Sequence, residues 1–476
     1  MMLAIKESTI GNDEIRMKIS DLKLEWKGKS ILIVGCGASG LSCANFLSKH
    51  DIDFSIIDSR TDVENYSGFE NIADIKQQYK IVFGEFQENY FKAADILIVS
   101  PGVSIKHPYI QAAIEQGKEV IGDVDLFCQL TDVPIIAITG SNGKSTVTTL
   151  VGEILKAANM NIKVGGNIGV PCLELLEENG AECYVLELSS FQLETTSHLK
   201  AFASVILNLS EDHMDRYNSF MDYCDAKQKI FNNSENIIVN LDDELVRKLS
   251  EAYENSSNKI TFGLDDSSKP DFHLAIKDGN EWVFHNGIPV VDISNIKVVG
   301  QHNKINILAA LSLCSVFDID LGKTGRAINA FSGLEHRSQL VDSTDGVQWI
   351  NDSKATNIGA TSAALKGFAN SPVYLILGGQ SKGQNFSELF PALTSNVKQI
   401  IIYGEDAALI SSTLKNETDI KLICTQTLEQ SVELVNETVS KNDVVLFSPA
   451  CASFDQFDNY MQRGDSFISY AQKVGR

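Results

Sequence analysis

Two glycine turns, each set between an aliphatic run and a helical pattern, constrain this 476-residue chain more than any other feature. One is Gly35-Cys36-Gly37-Ala38-Ser39-Gly40 after Ile31-Leu32-Ile33-Val34, and the other is Gly140-Ser141-Asn142-Gly143 after Ile135-Ile136-Ala137-Ile138-Thr139. Short Val/Ile-rich runs followed by a helical pattern recur at 30–34, 53–57, 96–100, 135–139, 184–188 and 205–208. They resume at 347–350, 373–377, 399–403, 421–424 and 444–448. That alternation predicts an α/β fold in which parallel sheets are covered by helices. At about 100–200 residues per domain the length predicts three domains, which we bound at 1–122, 123–333 and 334–476. The first and third could share a doubly wound architecture, and residues 240–300 read as an irregular, turn-rich stretch.

Composition narrows the partners. A formal charge of −22 argues against nucleic acid and anionic membranes, because both need clustered Lys and Arg. There is no run of about 18 apolar residues, and the polar, acidic start does not suit a signal or transit peptide. A cytoplasmic protein is expected, with a monomer as the default state. Nine cysteines show no Cys-x-x-Cys pair and read as reduced thiols.

The first turn, with Asp58 closing the next aliphatic run, fits a dinucleotide fingerprint. Glycines let the backbone approach a pyrophosphate at a helix N-terminus, and the acid can take a ribose hydroxyl. A turn needed only for strand-to-helix packing is the bland alternative. Taken alone, the pattern would suggest an NAD-dependent oxidoreductase. The second turn changes that reading, because Gly140-Ser141-Asn142-Gly143-Lys144-Ser145-Thr146 is a phosphate loop with Ile138 where the strict pattern has its first glycine. Lys144 can neutralise charge on the γ-phosphoryl group, and Ser145 can ligate Mg²⁺. Such a loop needs a metal-binding acid on a neighbouring strand, and Glu187 fits, unless it only caps the following helix. His213, beside Asp212 in a dense polar segment, reads as a metal ligand or proton acceptor, unless it is a satisfied structural histidine. A non-catalytic nucleotide-binding scaffold is the remaining rival.

These residues resemble the Mur ligases nearly end to end. The resemblance is carried by Thr-Gly-Ser-Asn-Gly-Lys-Ser-Thr at 139–146, Gly-Gly-Asn-Ile-Gly at 165–169, the segments 186–194 and 211–217, Gly-Gln-His-Asn-Lys-Ile-Asn at 300–306, and residues 333–339. Asn-Asp-Ser-Lys-Ala-Thr-Asn at 351–357 and Ser-Pro-Ala-Cys-Ala-Ser-Phe-Asp-Gln-Phe at 448–457 resemble the D-glutamate-adding branch. They separate the chain from other Mur ligases and from the similar folylpolyglutamate synthetases.

The resemblance implies a Rossmann-like UDP-binding domain, a central phosphate-loop ATPase domain and a C-terminal Rossmann-like domain for the amino acid. It implies ATP, two Mg²⁺ ions, UDP-N-acetylmuramoyl-L-alanine and D-glutamate as ligands, and an acyl-phosphate intermediate. UDP would lie on Gly37, Ala38, Ser39, Ser59, Arg60 and Gly102, with Asn167 near the sugar-peptide. ATP would meet residues 140–146, Asn303, Asn306, His336, Arg337, Asp352 and Lys354. Ser145 and Glu187 would hold one Mg²⁺, and His213 and Lys227 the second, with Lys227 matching a lysine that the family carbamylates. Lys144, His213, Lys227 and Lys354 would form the catalytic set. D-Glutamate would be held by Thr356, Lys382, Ser453, Phe454 and Tyr460. Tyr460 stands where phenylalanine is expected, and the segment Gly378-Gly379-Gln380-Ser381-Lys382-Gly383 lacks the aspartate common near that lysine. The N-terminal extension and residues 242–298 receive no role.

Overall fold

A computed structural model describes residues 12–61, 79–176, 180–214, 216–253, 258–298, 300–341, 343–344, 346–415 and 418–475. The first eleven residues of the N-terminal extension and Asp215 of the 211–217 motif lie outside the described residues.

Three open sheets follow one another. The first contains β1 (Ile31–Val34), β2 (Ser55–Asp58), β3 (Lys80–Phe83), β4 (Ile96–Val99) and β5 (Glu119–Ile121), in the order β3-β2-β1-β4-β5, all parallel. Every residue of β1 and β4 is buried, as continuous aliphatic runs in a doubly covered sheet require. The order reverses between β1 and β4, which opens a crevice at their C-terminal ends. The glycine turn 35–40 lies there.

The second sheet has nine strands: β6 (Ile135–Thr139), β7 (Ile162–Gly166), β8 (Cys183–Glu187), β9 (Ala203–Ile206), β10 (Asn236–Asn240), β11 (Asn258–Phe262), β12 (Phe272–Lys277), β13 (Asn280–His285) and β14 (Ile288–Asp292). Their order is β14-β13-β12-β11-β10-β9-β6-β8-β7, so β6 sits between β8 and β9. The phosphate loop therefore has the end of a different strand on either side.

The described residues of 240–300 are not irregular. They form the helix Glu244–Glu251, the parallel strand β11 and an antiparallel meander, β12 to β14. Two-residue turns join the meander, with Asp278 at φ 53° and Gly279 at 82°, and Asn286 at 50° and Gly287 at 76°. Such left-handed pairs match the twist of the strands they connect.

The third sheet contains β15 (Gln339–Val341), β16 (Gln348–Asn351), β17 (Val373–Gly378), β18 (Val397–Tyr403), β19 (Lys421–Cys424) and β20 (Val444–Phe447), in the order β15-β16-β20-β17-β18-β19. Only β15 is antiparallel to its neighbour. The first and third sheets are thus both open and mostly parallel but differ in strand order, because β20 inserts between β16 and β17. That insertion puts 351–357 and 448–457 at adjacent strand ends.

One continuous hydrophobic core joins the first two sheets, running from Ile33 and Leu47 through Phe127 and Leu130 to Tyr184 and Leu186. The helix Asn12–Glu25 adds Ile19 and Leu22 to it, and Lys18 pairs with Asp132 at 2.6 Å.

Candidate active site

Backbone sterics define the phosphate loop. Gly140 has φ 152° and Gly143 φ 83°, and a Cβ on Gly143 would stand 2.6 Å from Asn306 Oδ1. Both positions need glycine. The loop is pinned from β9, since Ser141 N donates to Asn208 O at 2.9 Å and Asn142 N to Asn208 Oδ1 at 2.8 Å. Ser141 Oγ lies 3.0 Å from Tyr223 OH. The helix Lys144–Ala157 starts at the loop and buries Ser145 and Thr146 in its first turn. A helix N-terminus behind left-handed glycines is an anion cradle.

Around it gathers a charge cluster. Lys144 Nζ donates to Gly140 O at 2.8 Å and Ser141 O at 2.9 Å. Burial lowers its pKa from the ordinary lysine range, Glu187 and Asp212 oppose that, and Arg337 adds to it. Lys227, 2 % exposed on the helix Phe220–Gln228, donates to Gly140 O at 2.9 Å and Thr139 Oγ1 at 3.3 Å. Burial first, and then the Lys144 charge, push its pKa well below the ordinary value. Glu187, at the end of β8, is 2 % exposed. Its Oε1 accepts from Asn167 Nδ2 at 2.7 Å, while Oε2 is buried without a partner. His213 has φ 57°, lies 3.7 Å from Asp212 Oδ2 and meets the Phe191 ring edge-on at 4.8 Å. It is half exposed, at the rim.

The third domain reaches into the cluster. Arg337 Nη2 donates to Ser145 Oγ at 2.7 Å. Lys354 has its pKa lowered to about 8 by burial and by Arg337, with Glu187 opposing, and its Nζ sits 4.0 Å above the Tyr460 ring. His336 is buried at φ 62°, with Nδ1 3.0 Å from Asn351 Nδ2. Asp352 is pinned within its own domain, because Oδ1 accepts from Ser338 N at 3.1 Å and Oδ2 from Ser448 Oγ at 2.8 Å. Burial raises its pKa to about 7. Asn303 and Asn306 are buried inside the helix Gln301–Cys314, whose N-cap is Gly300, so they do not serve as its caps.

The residues read as amino-acid contacts lie on three neighbouring loops, except Tyr460, which opens the helix Tyr460–Val474. Gln380 and Ala452 exchange backbone hydrogen bonds at 3.1 and 2.9 Å, joining the loop of Lys382 to the loop of Ser453 and Phe454. Lys382 Nζ lies 5.8 Å from the Phe454 ring centroid. Gln384, which sequence reasoning passed over, donates through Nε2 to Ser381 O and Ala450 O at 3.0 Å each and to Thr356 O at 3.4 Å. No aspartate precedes Lys382, and from the next strand end Asp406 Oδ2 accepts from Ser381 N at 2.7 Å.

At the first turn, Ser100 Oγ donates to Gly35 O at 2.8 Å, and a Cβ on Gly40 would meet Gly35 O at 2.0 Å. Gly37 is the N-cap of the helix Ala38–Lys49, which carries Ser39, and Ser59 and Gly102 are exposed. Asp58 is already engaged: it accepts from Cys36 N at 2.6 Å, from Arg60 N at 2.9 Å and from Arg60 Nε and Nη2 at 2.8 and 2.7 Å. Burial works against its carboxylate, but Arg60 and the backbone donors prevail and hold its pKa below the usual value. The structure thus makes Asp58 an anchor for Arg60 rather than an open ribose acceptor, which removes one of the two supports for an oxidoreductase. Arg216, another residue that sequence reasoning missed, fixes this region to the second domain. It donates to Pro101 O at 2.7 Å, Val103 O at 3.0 Å and Glu194 Oε2 at 2.9 Å.

Comparison with known proteins agrees with this layout. Family models match in the same order along the chain: the Mur ligase MurD-like N-terminal domain at 29–122, the Mur ligase middle domain at 138–314, and the Mur ligase glutamate ligase domain at 336–451. The UDP-N-acetylmuramoylalanine--D-glutamate ligase of Escherichia coli K12 is 41 % identical over 453 residues, covering 95 % of this chain and all of that relative. The chain belongs to the Mur ligase family. A second Mur ligase of the same name, from Salmonella paratyphi A, shows the same identity and coverage. Among solved Mur ligases, MurF from Thermotoga maritima in complex with ADP superposes with a TM-score of 0.60 at 16 % identity, over 89 % of this chain and 95 % of that one. MurC from the same organism gives 0.57 at 21 %, over 93 % and 98 %. These two share the Mur ligase fold of three α/β domains.

Proposed function

We propose that this Mur ligase joins D-glutamate to UDP-N-acetylmuramoyl-L-alanine in peptidoglycan synthesis, coupled to cleavage of ATP and by way of an acyl phosphate. The observation that carries the reading is the approach of Arg337 and Lys354 from the third domain to the phosphate loop of the second, anchored by the bond to Ser145. An amino-acid domain closed on a phosphate loop is what amide formation from an activated carboxylate needs. The division 1–122, 123–333 and 334–476 then separates the UDP-sugar, the nucleotide and the amino acid. The same reading has the protein acting as a monomer in the cytoplasm.

The donor set suits Mg²⁺. Glu187 Oε2 is a buried carboxylate oxygen without a partner, and Ser145 supplies a hydroxyl. No tighter cage of three or more His, Cys, Asp or Glu side chains occurs among the described residues. Mg²⁺ bound largely through phosphates and water needs no more. Bound there, the ion would offset charge on the phosphates. Lys227 and His213 would serve a second ion, and burial together with the Lys144 charge lowers the pKa of Lys227, which favours the neutral amine that carbamylation by CO₂ requires.

Residues 140–146 and Lys144 would cradle the triphosphate, with Asn303, Asn306, His336 and Asp352 completing the nucleotide site. Gly37, Ala38, Ser39, Ser59, Arg60 and Gly102 would hold UDP, and Asn167 the sugar-peptide. The alanyl carboxylate attacks the γ-phosphorus, the bond to the bridging oxygen breaks and ADP leaves. Lys144, Arg337 and Lys354 would counter the negative charge shared by carboxylate and phosphate. The deprotonated amine of D-glutamate, positioned by Thr356, Lys382, Ser453, Phe454 and Tyr460, then attacks the acyl carbon, the acyl–oxygen bond breaks, and phosphate departs carrying the surplus amine proton. Closure of the third domain would exclude water from the acyl phosphate.

The test is phosphate release from Mg²⁺ and ATP with UDP-N-acetylmuramoyl-L-alanine, comparing D-glutamate, L-glutamate and meso-diaminopimelate. Release that needs both the precursor and D-glutamate supports the reading. Release with another amino acid would overturn the specificity, and no release at all would overturn the ligase. Lys144→Ala should abolish release and leave precursor binding intact.

A further inference from the structure

Arg463 is fully buried in the third domain, and nothing in the reaction described above uses it. It sits on the helix Tyr460–Val474, three residues after Tyr460. Its Nε donates to Ser353 Oγ at 3.0 Å, its Nη2 to Ser353 O at 2.6 Å and its Nη1 to Cys451 O at 3.0 Å. None of these acceptors is charged. Holding a guanidinium against neutral acceptors is costly, and an apolar side chain of similar volume would fill the core with less penalty. What an apolar side chain cannot do is make directed bonds from one rigid plane to two separate segments.

Those segments are the ones that the sequence ties to the amino acid. Ser353 lies three residues before Thr356, and Cys451 precedes Ser453 and Phe454. Ser353 Oγ also donates its hydrogen to Tyr460 O at 2.8 Å, so only a donor can occupy the place of Arg463 Nε. The next residue, Gly464, is required by the same arrangement, because a Cβ there would stand 2.2 Å from His336 Nδ1. Asn351 Nδ2 bonds Gly464 O at 3.3 Å from the other side. The beginning of this helix is thus tied to both loops through one arginine.

We propose that Arg463 is a positioning residue for the amino-acid substrate. It fixes the 353 turn and the 451 loop in the register that lets a dicarboxylic amino acid be held by groups from both. It also leaves a permanent buried positive charge between those two segments. The inference rests on the ligase reading and assigns to that site a residue that touches neither substrate nor nucleotide.

The test measures initial rates of phosphate release in the full chain while D-glutamate, ATP and the UDP-linked precursor are varied in turn. The variants are Arg463→Lys, Arg463→Met and Ser353→Ala. In Arg463→Met, the KM for D-glutamate should rise about tenfold or more with the other two KM values nearly unchanged, as loss of one or two directed bonds predicts. Arg463→Lys should recover part of that loss, because it keeps the charge but not the fork, and Ser353→Ala should fall between it and the wild type. Unchanged KM values with a lower melting temperature would overturn the proposal and leave a structural staple. A parallel rise in all three KM values would overturn it as well. If Arg463→Met does not fold, the other two variants decide. If the wild type releases phosphate with another amino acid, the functional reading falls, and the same KM comparison with that amino acid judges Arg463.

Discussion

Arg337 Nη2 donates to Ser145 Oγ at 2.7 Å although 192 residues separate them, so the third domain is in direct contact with the first turn of the phosphate-loop helix. Arg337→Met should lower kcat by about a hundredfold or more, the size expected when a donor to the transferring group is lost. Arg337→Lys should restore little, because an ammonium cannot reproduce the planar fork. Steady-state rates with ATP as the varied substrate check this.

Glu187 offers a second test. Its Oε2 is buried without a partner, and Asn167 holds only Oε1. Glu187→Gln should raise the Mg²⁺ concentration needed for half-maximal rate by about tenfold or more. The thermal midpoint of the metal-free protein should fall as well, because Lys144 and Lys354 lose a compensating negative charge. A titration of rate against Mg²⁺, paired with thermal melts, reads both.

The pH profile should carry the signature of Lys354. Its pKa, lowered to about 8 by burial and by Arg337, means that the cation is present below that pH and lost above it. The kcat/KM for ATP should therefore fall on the alkaline side with an apparent pKa near 8, and Lys354→Arg, which stays charged, should move that limb upward.

His302 governs a different pH range, through stability. Burial lowers its pKa to about 4, with Nε2 3.1 Å from Ser338 Oγ across the junction of the second and third domains. The unfolded chain takes up a proton near the ordinary pKa of 6.5 and the folded chain does not, so stability falls as pH drops from 6.5 towards 4. At about 1.4 kcal/mol per pH unit, the loss is on the order of 3 kcal/mol. Denaturant melts between those limits should show the slope, and His302→Gln should flatten it.

Much of this was legible from residue order, because it depends on neighbours in the chain. The aliphatic runs, the two glycine turns and Lys144-Ser145 follow from local sterics and charge. The hairpin turns Asp278-Gly279 and Asn286-Gly287 were legible too, but the reading of 240–300 as irregular missed them, because the flanking strands are half polar at a sheet edge. Asp58 misled for the opposite reason: its spacing suits a ribose, and only the fold shows Arg60 and Cys36 N already using its oxygens.

The sequence by itself determined the parallel α/β class, the phosphate loop and the resemblance to Mur ligases, since each is written in consecutive residues. Only the tertiary structure decided that Arg337 meets Ser145, that Asp406 accepts from Ser381 N next to Lys382, and that Arg463 joins Ser353 to Cys451. Those contacts bridge residues far apart in the chain. Their partners are set by strand order, above all by the insertion of β20 between β16 and β17, and no local periodicity encodes which strand ends become neighbours.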